Sequence, residues 1–406
     1  MRALLAVGDP LFRDGVDFTV VAIVIAKTLV TFAVLMVAVL FMVWFERKVI
    51  ADMQNRIGPN RAGPWGLLQT LADGIKLFFK EDLLPERADR TIFKLAPYLS
   101  SVPAFLAFAV VPIGGTVTIA GRETYLQLAD PPIGILFLLA MSAIAVYGVM
   151  LAGWSSGSKY PLLGSVRASA QMVSYEAALG LSIGAVVLIA GSLSTHDIVQ
   201  SQARLLDWNI IRLGVLPFLI FLVAATAELN RPPFDLVEAE QELVGGFHTE
   251  YSSIRFALFF LAEFMNTVTM SAVVVTLFLG GPIGLDIPVI GKVSPVWFIV
   301  KLFVFLFVYV WLRATLPRFR YDQLMDLGWK LLIPVSLYWL LVLAGMRIDA
   351  PTTATGVVGD LMRRRYGFAV FVIGLLVAPV LMRAVRIGHE ASDAEHTALT
   401  PLRRID

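Results

Sequence analysis

The sequence predicts an all-α integral membrane protein with about nine transmembrane helices and an amphipathic surface helix after the first of them. Of its 406 residues, 58% are hydrophobic and only 16% are charged, which leaves too little polar surface for a water-soluble protein of this size. The apolar residues also gather in runs long enough to cross about 30 Å of hydrocarbon, which takes roughly 20 residues of helix. Composition and run length together indicate a chain that crosses a membrane many times.

About nine apolar runs meet this length requirement. They lie near residues 18–45, 95–112, 132–151, 172–190, 209–227, 254–279, 296–316, 329–346 and 366–382. The first is too long for a signal peptide and lacks the basic cluster that would precede one, so we expect it to remain as a span. The first eight define a membrane domain at 1–346, and the ninth belongs to a C-terminal extension at 347–406.

The charge balance and the missing residue types exclude several classes of function. A net charge of +2 gives no reason to expect a nucleic-acid partner. The chain has no cysteine, which excludes cysteine-ligated iron–sulfur clusters, disulfides and thiol catalysis. Its histidines lie outside the apolar runs, so no pair of them is placed to hold a haem within the bilayer. They are His196, His248, His389 and His396.

Lysine and arginine are enriched on the cytoplasmic side of membrane proteins. Most of the 33 Lys and Arg residues lie in alternate connecting segments, at 45–94, 153–171, 230–255, 313–330 and 383–406. We therefore expect the amino terminus outside, and the most basic and the most acidic connections on the cytoplasmic side. Arg363, Arg364 and Arg365 precede the ninth run on the opposite side, so the orientation of that run stays open.

The basic connection after the first run ends in a stretch with helical periodicity. Its apolar residues recur three or four positions apart, and its polar residues fall on the other side. The apolar set is Leu67, Leu71, Ile75 and Phe78 or Phe79, and the polar set is Gln69, Asp73, Lys76 and Lys80. The pattern predicts a helix along the membrane surface, although a plain connecting helix with ion pairs on its exposed side would show it too.

The connection after the fifth run is densely acidic and reads ELNRPPFDLVEAEQELVGGFHTE over residues 228–250. Its carboxylates are Glu228, Asp235, Glu238, Glu240, Glu242 and Glu250. A helix would put Asp235, Glu238 and Glu242 on one face, whereas an extended chain would group Glu238, Glu240 and Glu242. Carboxylates this close titrate as a coupled set that can hold a proton near neutral pH, although a solvated acidic loop is the simpler explanation.

Two further acids, Glu176 and Glu263, fall inside apolar runs. Each would cost about 2.5 to 3.5 kcal/mol at the centre of a membrane helix. We therefore expect both to face a polar interior, although Glu176 lies near the start of its run and could reach the membrane surface instead. The hydroxyls of Tyr147 and Tyr175 could extend such a polar line, or the two rings could pack as ordinary aromatic residues.

Several long strings of this sequence resemble one family of membrane proteins. They are FERK, QNRIGPNRAGPWGLLQTLADGIKLFFKED, SVRASAQMVSYE, AELNRPPFDLVEAEQELVGGFHTEYS, FFLAEFMN and RATLPRFRYDQLM, and they occur in the family's order between about residues 18 and 346. The family is the quinone-site membrane subunit of respiratory complex I, found in bacteria and mitochondria. Its members have eight membrane helices, so nothing carries over to the extension from residue 347.

The resemblance implies a subunit of the proton-pumping NADH-quinone oxidoreductase that forms much of the quinone tunnel and begins the acidic proton-coupling path. It implies quinone-binding roles for Glu46, Arg47, Arg56, Asp73, Lys76, Arg313 and Arg318. It implies proton-coupling roles for Glu176, Glu228, Asp235, Glu238, Glu240, Glu242 and Glu263. Quinone is then the substrate, and the flavin and iron–sulfur clusters lie in partner subunits, with no catalytic residue, redox centre or metal in this chain.

The same resemblance implies partners and a location. The chain would contact the other membrane and peripheral subunits of complex I, quinone and membrane lipid, most naturally in a bacterial plasma membrane. Two alternatives stay open at this point. The membrane anchor of a related hydrogenase or other donor-specific dehydrogenase would share many of these acids. A secondary ion transporter would also need intramembrane glutamates, although the sequence has no inverted repeat.

Overall fold

The computed structural model describes residues 9–13, 15–236, 243–284 and 294–349, together with residues 372 and 383. In these ranges the chain is mostly helical. The α-helices are α1 (Phe18–Met53), α2 (Gln69–Phe78), α3 (Arg90–Phe108), α4 (Gly134–Ser155), α5 (Lys159–Ala190), α6 (Thr195–Gln200), α7 (Asn209–Arg212), α8 (Val215–Glu228), α9 (Ser253–Phe278), α10 (Ser294–Thr315), α11 (Tyr321–Asp326) and α12 (Ile333–Asp349). A short π-helix at Leu327–Leu332 joins α11 to α12, so the last two helices form one continuous rod.

Within the described ranges, 7 helices are long and apolar enough to cross a membrane by length and composition. They are α1, α3, α4, α5, α9, α10 and the rod from Tyr321 to Arg347, and α8 is a shorter apolar helix. Each of the first eight predicted runs coincides with one of these helices, which confirms an all-α membrane protein. Nearly all of the ninth run at 366–382 and of the extension lies outside the described residues, so the count of nine and the boundary after residue 346 stay predictions.

Helix ends follow from local sequence. The Asp89 side chain accepts hydrogen bonds from the backbone N–H groups of Thr91 and Ile92, at 3.0 and 3.2 Å, and so caps the start of α3. Gly191 ends α5 with a φ of 75°, a left-handed conformation that only glycine adopts without strain. Helix α8 ends at Glu228, just before Arg231-Pro232-Pro233, because proline cannot continue a helix.

Small residues bring the membrane helices close together. Gly148 on α4 lies directly against Ser100 on α3, and Gly153 on α4 lies against Ser165 on α5, with no room for a β-carbon at either glycine. Such contacts are the usual way in which membrane helices approach closely. Helix α9 packs between α1, α3 and α10 and is the most enclosed of the spans. Its central position matters because it carries Glu263 into the interior.

A β-hairpin is the one departure from the helical prediction in the described part of the chain. Strand β1 (Thr116–Ile119) pairs antiparallel with β2 (Arg122–Tyr125) through a turn at Ala120 and Gly121, whose φ angles are 51° and 80°. A two-residue turn with positive φ at both positions matches the twist of a hairpin. The Lys27 ammonium of α1 donates to Asp9 at 3.0 Å and to the Thr124 hydroxyl at 2.9 Å, which holds the first described residues against the hairpin.

The predicted surface helix corresponds to α2, which is shorter than the predicted stretch because it ends at Phe78, so that Lys80 lies beyond it. Its apolar residues Leu71, Ile75 and Phe78 are about half exposed or more in the isolated chain. An exposed apolar side agrees with contact to lipid or to another protein. Its position along a membrane surface remains a prediction.

Candidate functional site

Four buried or half-buried charges from distant parts of the chain meet in what we call the ion cluster, formed by Glu46, Arg231, Glu263 and Arg313. The Arg231 guanidinium donates to the Glu46 carboxylate at 2.8 Å and also pairs with Glu263 at 2.8 Å. Arg313 pairs with the second carboxylate oxygen of Glu46. The cluster therefore contains two acids and two bases and is electrically balanced.

Arg231 is the centre of the ion cluster and is only 4% exposed. Besides its two carboxylate partners, its guanidinium lies over the ring of Phe264 at 4.3 Å from the ring centre. A planar guanidinium suits this position because it can bridge two carboxylates and stack on an aromatic face at once. A charge this deep is tolerated only when it is paired, so removing either kind of partner would be costly.

A second ion pair extends the cluster toward the acidic connection. The Arg318 guanidinium donates to Asp235 at 3.0 Å. Next to it, the Phe234 and Phe319 rings stack at 5.4 Å, and the Phe319 N–H donates to the Pro233 carbonyl at 3.0 Å. The segment after α10 is thereby fixed against the beginning of the acidic connection.

The surface helix α2 is joined to α1 through Arg47, the residue after Glu46. The Arg47 guanidinium donates to Asp73 at 2.5 Å, and the Gln69 amide also donates to Asp73 at 3.1 Å. The Arg47–Asp73 pair therefore links α2 to the helix that carries Glu46. Lys76 and Arg56 take no part in this link. Both are exposed, and Arg56 donates only to Gln54 at 2.6 Å among the described residues.

Glu228 at the end of α8 is 6% exposed and borders an internal cavity, here called the Glu228 cavity. Its polar lining consists of Ser100, Glu228, Asn230, His248, Glu263 and Asn266, and aromatic residues of α9 form much of the remaining wall. One carboxylate oxygen of Glu228 accepts a hydrogen bond from Ser142, while the other, Oε2, has no hydrogen-bond partner within the described residues. A second cavity shares Glu228 and Asn266 with the first and continues to Thr269.

Glu263 belongs both to the ion cluster and to the lining of the Glu228 cavity. Of the ion cluster's residues, Glu263 alone also lines the Glu228 cavity. Glu176 on α5 interacts electrostatically with Glu228 and lies near the middle of its helix, since α5 begins at Lys159 rather than near residue 172 as the apolar run suggested. Glu176 therefore does not lie at a helix start, and whether it reaches the membrane surface stays a prediction.

The predicted residues separate into groups in the structure. It brings together Glu46, Arg313 and Glu263; it pairs Asp235 with Arg318 and Arg47 with Asp73; and it sets Glu176 near Glu228. Glu238, Glu240 and Glu242 lie outside the described residues. Tyr175 donates its hydroxyl to the Leu324 carbonyl at 2.8 Å and Tyr147 is 62% exposed, so neither hydroxyl extends the acidic line.

Three residues of this region were not singled out by sequence reasoning as parts of the site: Arg231, Ser142 and His248. Arg231 had one usable signal, since it is a basic residue set between a span and the acidic connection, near acids that needed partners. Ser142 and His248 carry no local signal of this kind. Among the described residues no group of three or more His, Asp or Glu side chains is placed to hold a metal ion.

Comparison with known proteins gives one consistent result. The family model described as NADH dehydrogenase matches residues 26–344. Three similar proteins are each named as the H subunit of NADH-quinone oxidoreductase. The one from Frankia alni is 56% identical over 335 residues, which cover 80% of this chain and 73% of the relative. The one from Frankia casuarinae is 52% identical over 390 residues, covering 95% and 85%. The third, from Streptomyces avermitilis, is 52% identical over 335 residues, covering 80% and 73%.

Proposed function

Because this chain belongs to the NADH dehydrogenase family and is a membrane subunit of NADH-quinone oxidoreductase, we propose that its ion cluster links a quinone site to a proton path. On the quinone side stand Glu46, Arg47, Asp73, Arg313 and Arg318, with Arg56 and Lys76 at the exposed edge. On the proton side stand Glu176, Glu228, Asp235 and Glu263, together with Glu238, Glu240 and Glu242 of the acidic connection. The substrate is quinone.

The main support for this proposal is the position of Glu263. It pairs with Arg231 of the ion cluster at 2.8 Å and also lines the Glu228 cavity. Arg231 in turn binds Glu46 at 2.8 Å. A change of charge near Glu46 therefore alters the environment of Glu263 through one shared guanidinium. Two unit charges about 4 Å apart interact by roughly 4 kcal/mol at an effective dielectric constant of 20, which is enough to move a protonation equilibrium by orders of magnitude.

Quinone chemistry supplies such a change of charge. Two-electron reduction of a quinone to the quinol consumes two protons, and the anion that exists before protonation is negative. An anion near Arg313 competes with Glu46 for its positive charge, which leaves Arg231 more strongly attracted to Glu46 and less available to Glu263. Glu263 then takes up a proton, and Glu228, beside the same cavity, is the next acid in line.

This coupling needs no redox group in the chain itself. In our proposal the flavin and the iron–sulfur clusters belong to partner subunits, and this chain contacts other membrane and peripheral subunits of the enzyme as well as lipid. We place it in a bacterial plasma membrane with its amino terminus outside and its acidic and basic connections on the cytoplasmic side. None of the three relatives bears the name of a hydrogenase or of a transporter, so neither alternative gains support.

The test separates quinone reduction from electron input. In membranes carrying Glu228→Gln or Glu240→Gln, we expect NADH-driven quinone reduction to fall about tenfold or more, in line with the loss of a proton-transfer group. Reduction of an artificial acceptor by the peripheral subunits should persist. Glu123→Gln, at an exposed acid of the hairpin, is the matched control and should leave both activities unchanged.

Two outcomes would contradict the proposal. Unchanged quinone reduction in both variants, in complexes that assemble normally, removes these acids from proton coupling. An equal loss in Glu123→Gln would mean that the assay responds to the loss of any acid, whatever its place in the chain.

A further inference from the structure

His248 lines the Glu228 cavity, and neither the family resemblance nor the ion cluster gives this residue a role. We propose that His248 exchanges protons with Glu228 through water held in the Glu228 cavity. The proposal rests on the function proposed above, because it names a further proton-carrying residue of the same path. It is carried by the position of the imidazole ring and by the polar atoms that lie deeper in the cavity.

The backbone fixes His248 at this position. It ends a short helical turn, Gly246–His248, near the C-terminal end of the acidic connection. Gly246 lies against Gly164 of α5 so closely that a β-carbon on Gly164 would come within 2.7 Å of the Gly246 Cα. Three residues further on, the Tyr251 ring stacks on Phe93 at 4.0 Å, and its hydroxyl donates to the Phe93 carbonyl at 3.1 Å. The turn is therefore anchored on both sides.

The ring of His248 is held by apolar contacts rather than by hydrogen bonds. Phe247 and Phe256 approach it edge to face, with ring centres at 5.0 and 5.4 Å. Among the described residues, neither ring nitrogen of His248 has a hydrogen-bond partner. An imidazole that is oriented by its faces keeps both nitrogens available, which a proton relay requires because one nitrogen accepts while the other donates.

Polar atoms without partners continue inward from His248. Within the described residues, Ser100 Oγ, Glu228 Oε2 and Thr269 Oγ1 are buried and make no hydrogen bond. Ser100 and Glu228 line the same cavity as His248, and Thr269 lines the second cavity, which shares Glu228 and Asn266. Buried polar groups of this kind are satisfied by internal water when the cavity is polar and large enough. The space in the cavity open to the centres of water-sized molecules is about 70 Å³, and since one water needs roughly 10 to 15 Å³ on this measure, several waters fit.

The surroundings of His248 favour a ring that transfers protons and does not retain them. Burial lowers the pKa of the His248 imidazole to about 4, so the ring is neutral at physiological pH and holds a proton only in passing. The titratable groups that face the cavity with it are Glu228 of α8 and Glu263 of α9, while α3, α4 and α5 contribute uncharged residues to its lining. Glu228 is therefore the acid that can take the proton onward.

The experiment compares three substitutions in membranes that contain the whole enzyme. His248→Phe keeps an aromatic ring without nitrogens, and His248→Asn keeps hydrogen bonding without titration near neutral pH. Each should lower NADH-driven quinone reduction about tenfold, which is less than the roughly 100-fold or more that a positioned proton carrier usually contributes, because cavity water replaces part of the relay. His248→Ala should lose as much, and added imidazole should restore at least half of the lost rate. Phe247→Ala opens comparable space beside the same ring and is the matched control, which imidazole should not rescue.

All rates are expressed per assembled enzyme, with artificial-acceptor activity as the measure of assembly. If His248→Phe and His248→Asn keep normal rates while Glu228→Gln loses activity, the relay proposal fails and the proposed function stands. If imidazole does not rescue His248→Ala, or rescues Phe247→Ala equally well, the ring has a packing role and the proposal also fails. Normal rates in every variant, Glu228→Gln included, would overturn both proposals.

Discussion

Replacing Arg231 with methionine tests the centre of the ion cluster most directly. Methionine has similar length and no charge, so the change removes both carboxylate contacts and the cation–π contact with Phe264 while largely filling the space. Glu46 keeps Arg313 as a partner. Glu263 loses the one ion pair that the described residues give it, so it must either stay charged without a partner or take up a proton, and both cost free energy.

The expected magnitude follows from burial. Removing one member of a buried ion pair costs about 3 to 5 kcal/mol because a charge is left without compensation in a low-dielectric site. The Glu263 side chain is 27% exposed, so the lower end of that range, about 3 kcal/mol, is appropriate here. We expect Arg231→Met to lower the temperature of half-inactivation of the assembled enzyme, and Arg231→Lys to have an intermediate effect because an ammonium cannot bridge both carboxylates as a guanidinium does.

Double substitutions decide whether this reasoning is right. Combining Arg231→Met with Glu263→Gln removes the uncompensated charge, so at least half of the lost stability should return. Combining it with Glu46→Gln should give little recovery, because Glu263 is still without its partner and Arg313 then loses its own partner as well. The measurement is heat inactivation of quinone reductase activity in membranes, with each protein's amount determined separately. Equal recovery from the two double variants, or greater recovery from Glu46→Gln, would refute this account of the cluster.

Other parts of the chain give three further predictions. Arg47→Ala or Asp73→Ala should raise the apparent KM for short-chain quinone or change sensitivity to quinone-site inhibitors, since each breaks the 2.5 Å ion pair that joins α2 to α1. Normal kinetics and normal inhibition would mean that this ion pair has only a structural role. Truncation before Ala350 should lower the amount of enzyme recovered while turnover per assembled enzyme stays nearly intact, because the run at 366–382 has no Asp, Glu, His, Lys or Arg. Collapsed turnover with normal assembly would contradict this. Burial lowers the pKa of His248 from 6.5 to about 4, so between these pH values the folded chain binds fewer protons than the unfolded chain. The stability present above pH 6.5 should therefore be lost as the pH falls toward 4, by at most about 3 kcal/mol. Heat inactivation measured across that range should show less acid sensitivity in His248→Phe, and an unchanged profile would count against burial of the ring.

The spans could be predicted from sequence because their cause is local. A helix must satisfy its backbone hydrogen bonds in lipid and needs a fixed length to cross it, so apolar run length is a direct physical requirement. The ends of the helices were harder to predict from sequence. The first apolar run stops at residue 45, yet α1 continues to Met53, because Glu46, Arg47 and Lys48 are good helix formers and Glu46 finds partners elsewhere in the fold.

The pairing inside the site could not be predicted, because its partners are far apart in sequence. Arg231 and Glu46 are separated by 185 positions, and Arg318 and Asp235 by 83. Sequence reasoning could state that Glu263 needs a polar environment, from the cost of burying a charge. It could not name Arg231 as the partner, nor show that Glu46 at the end of the first apolar run is only 6% exposed. The hairpin was missed for a related reason, since strands of four residues leave almost no periodicity to detect.

In the proposed function, the arrangement of charges lets this chain take part in coupling without a redox group of its own, and the following steps belong to that proposal. Glu46 and Glu263 compete for the same guanidinium, so a change at one is felt at the other without any movement of the backbone. Among the described residues Arg313 forms its ion pair with Glu46 and none with Glu263, which makes the competition unequal. When a negative charge approaches Arg313, Glu46 depends more on Arg231, and Glu263 is the acid that must respond. Since Glu263 alone among these residues faces the Glu228 cavity, the response is directed toward Glu228 and away from the surface helix.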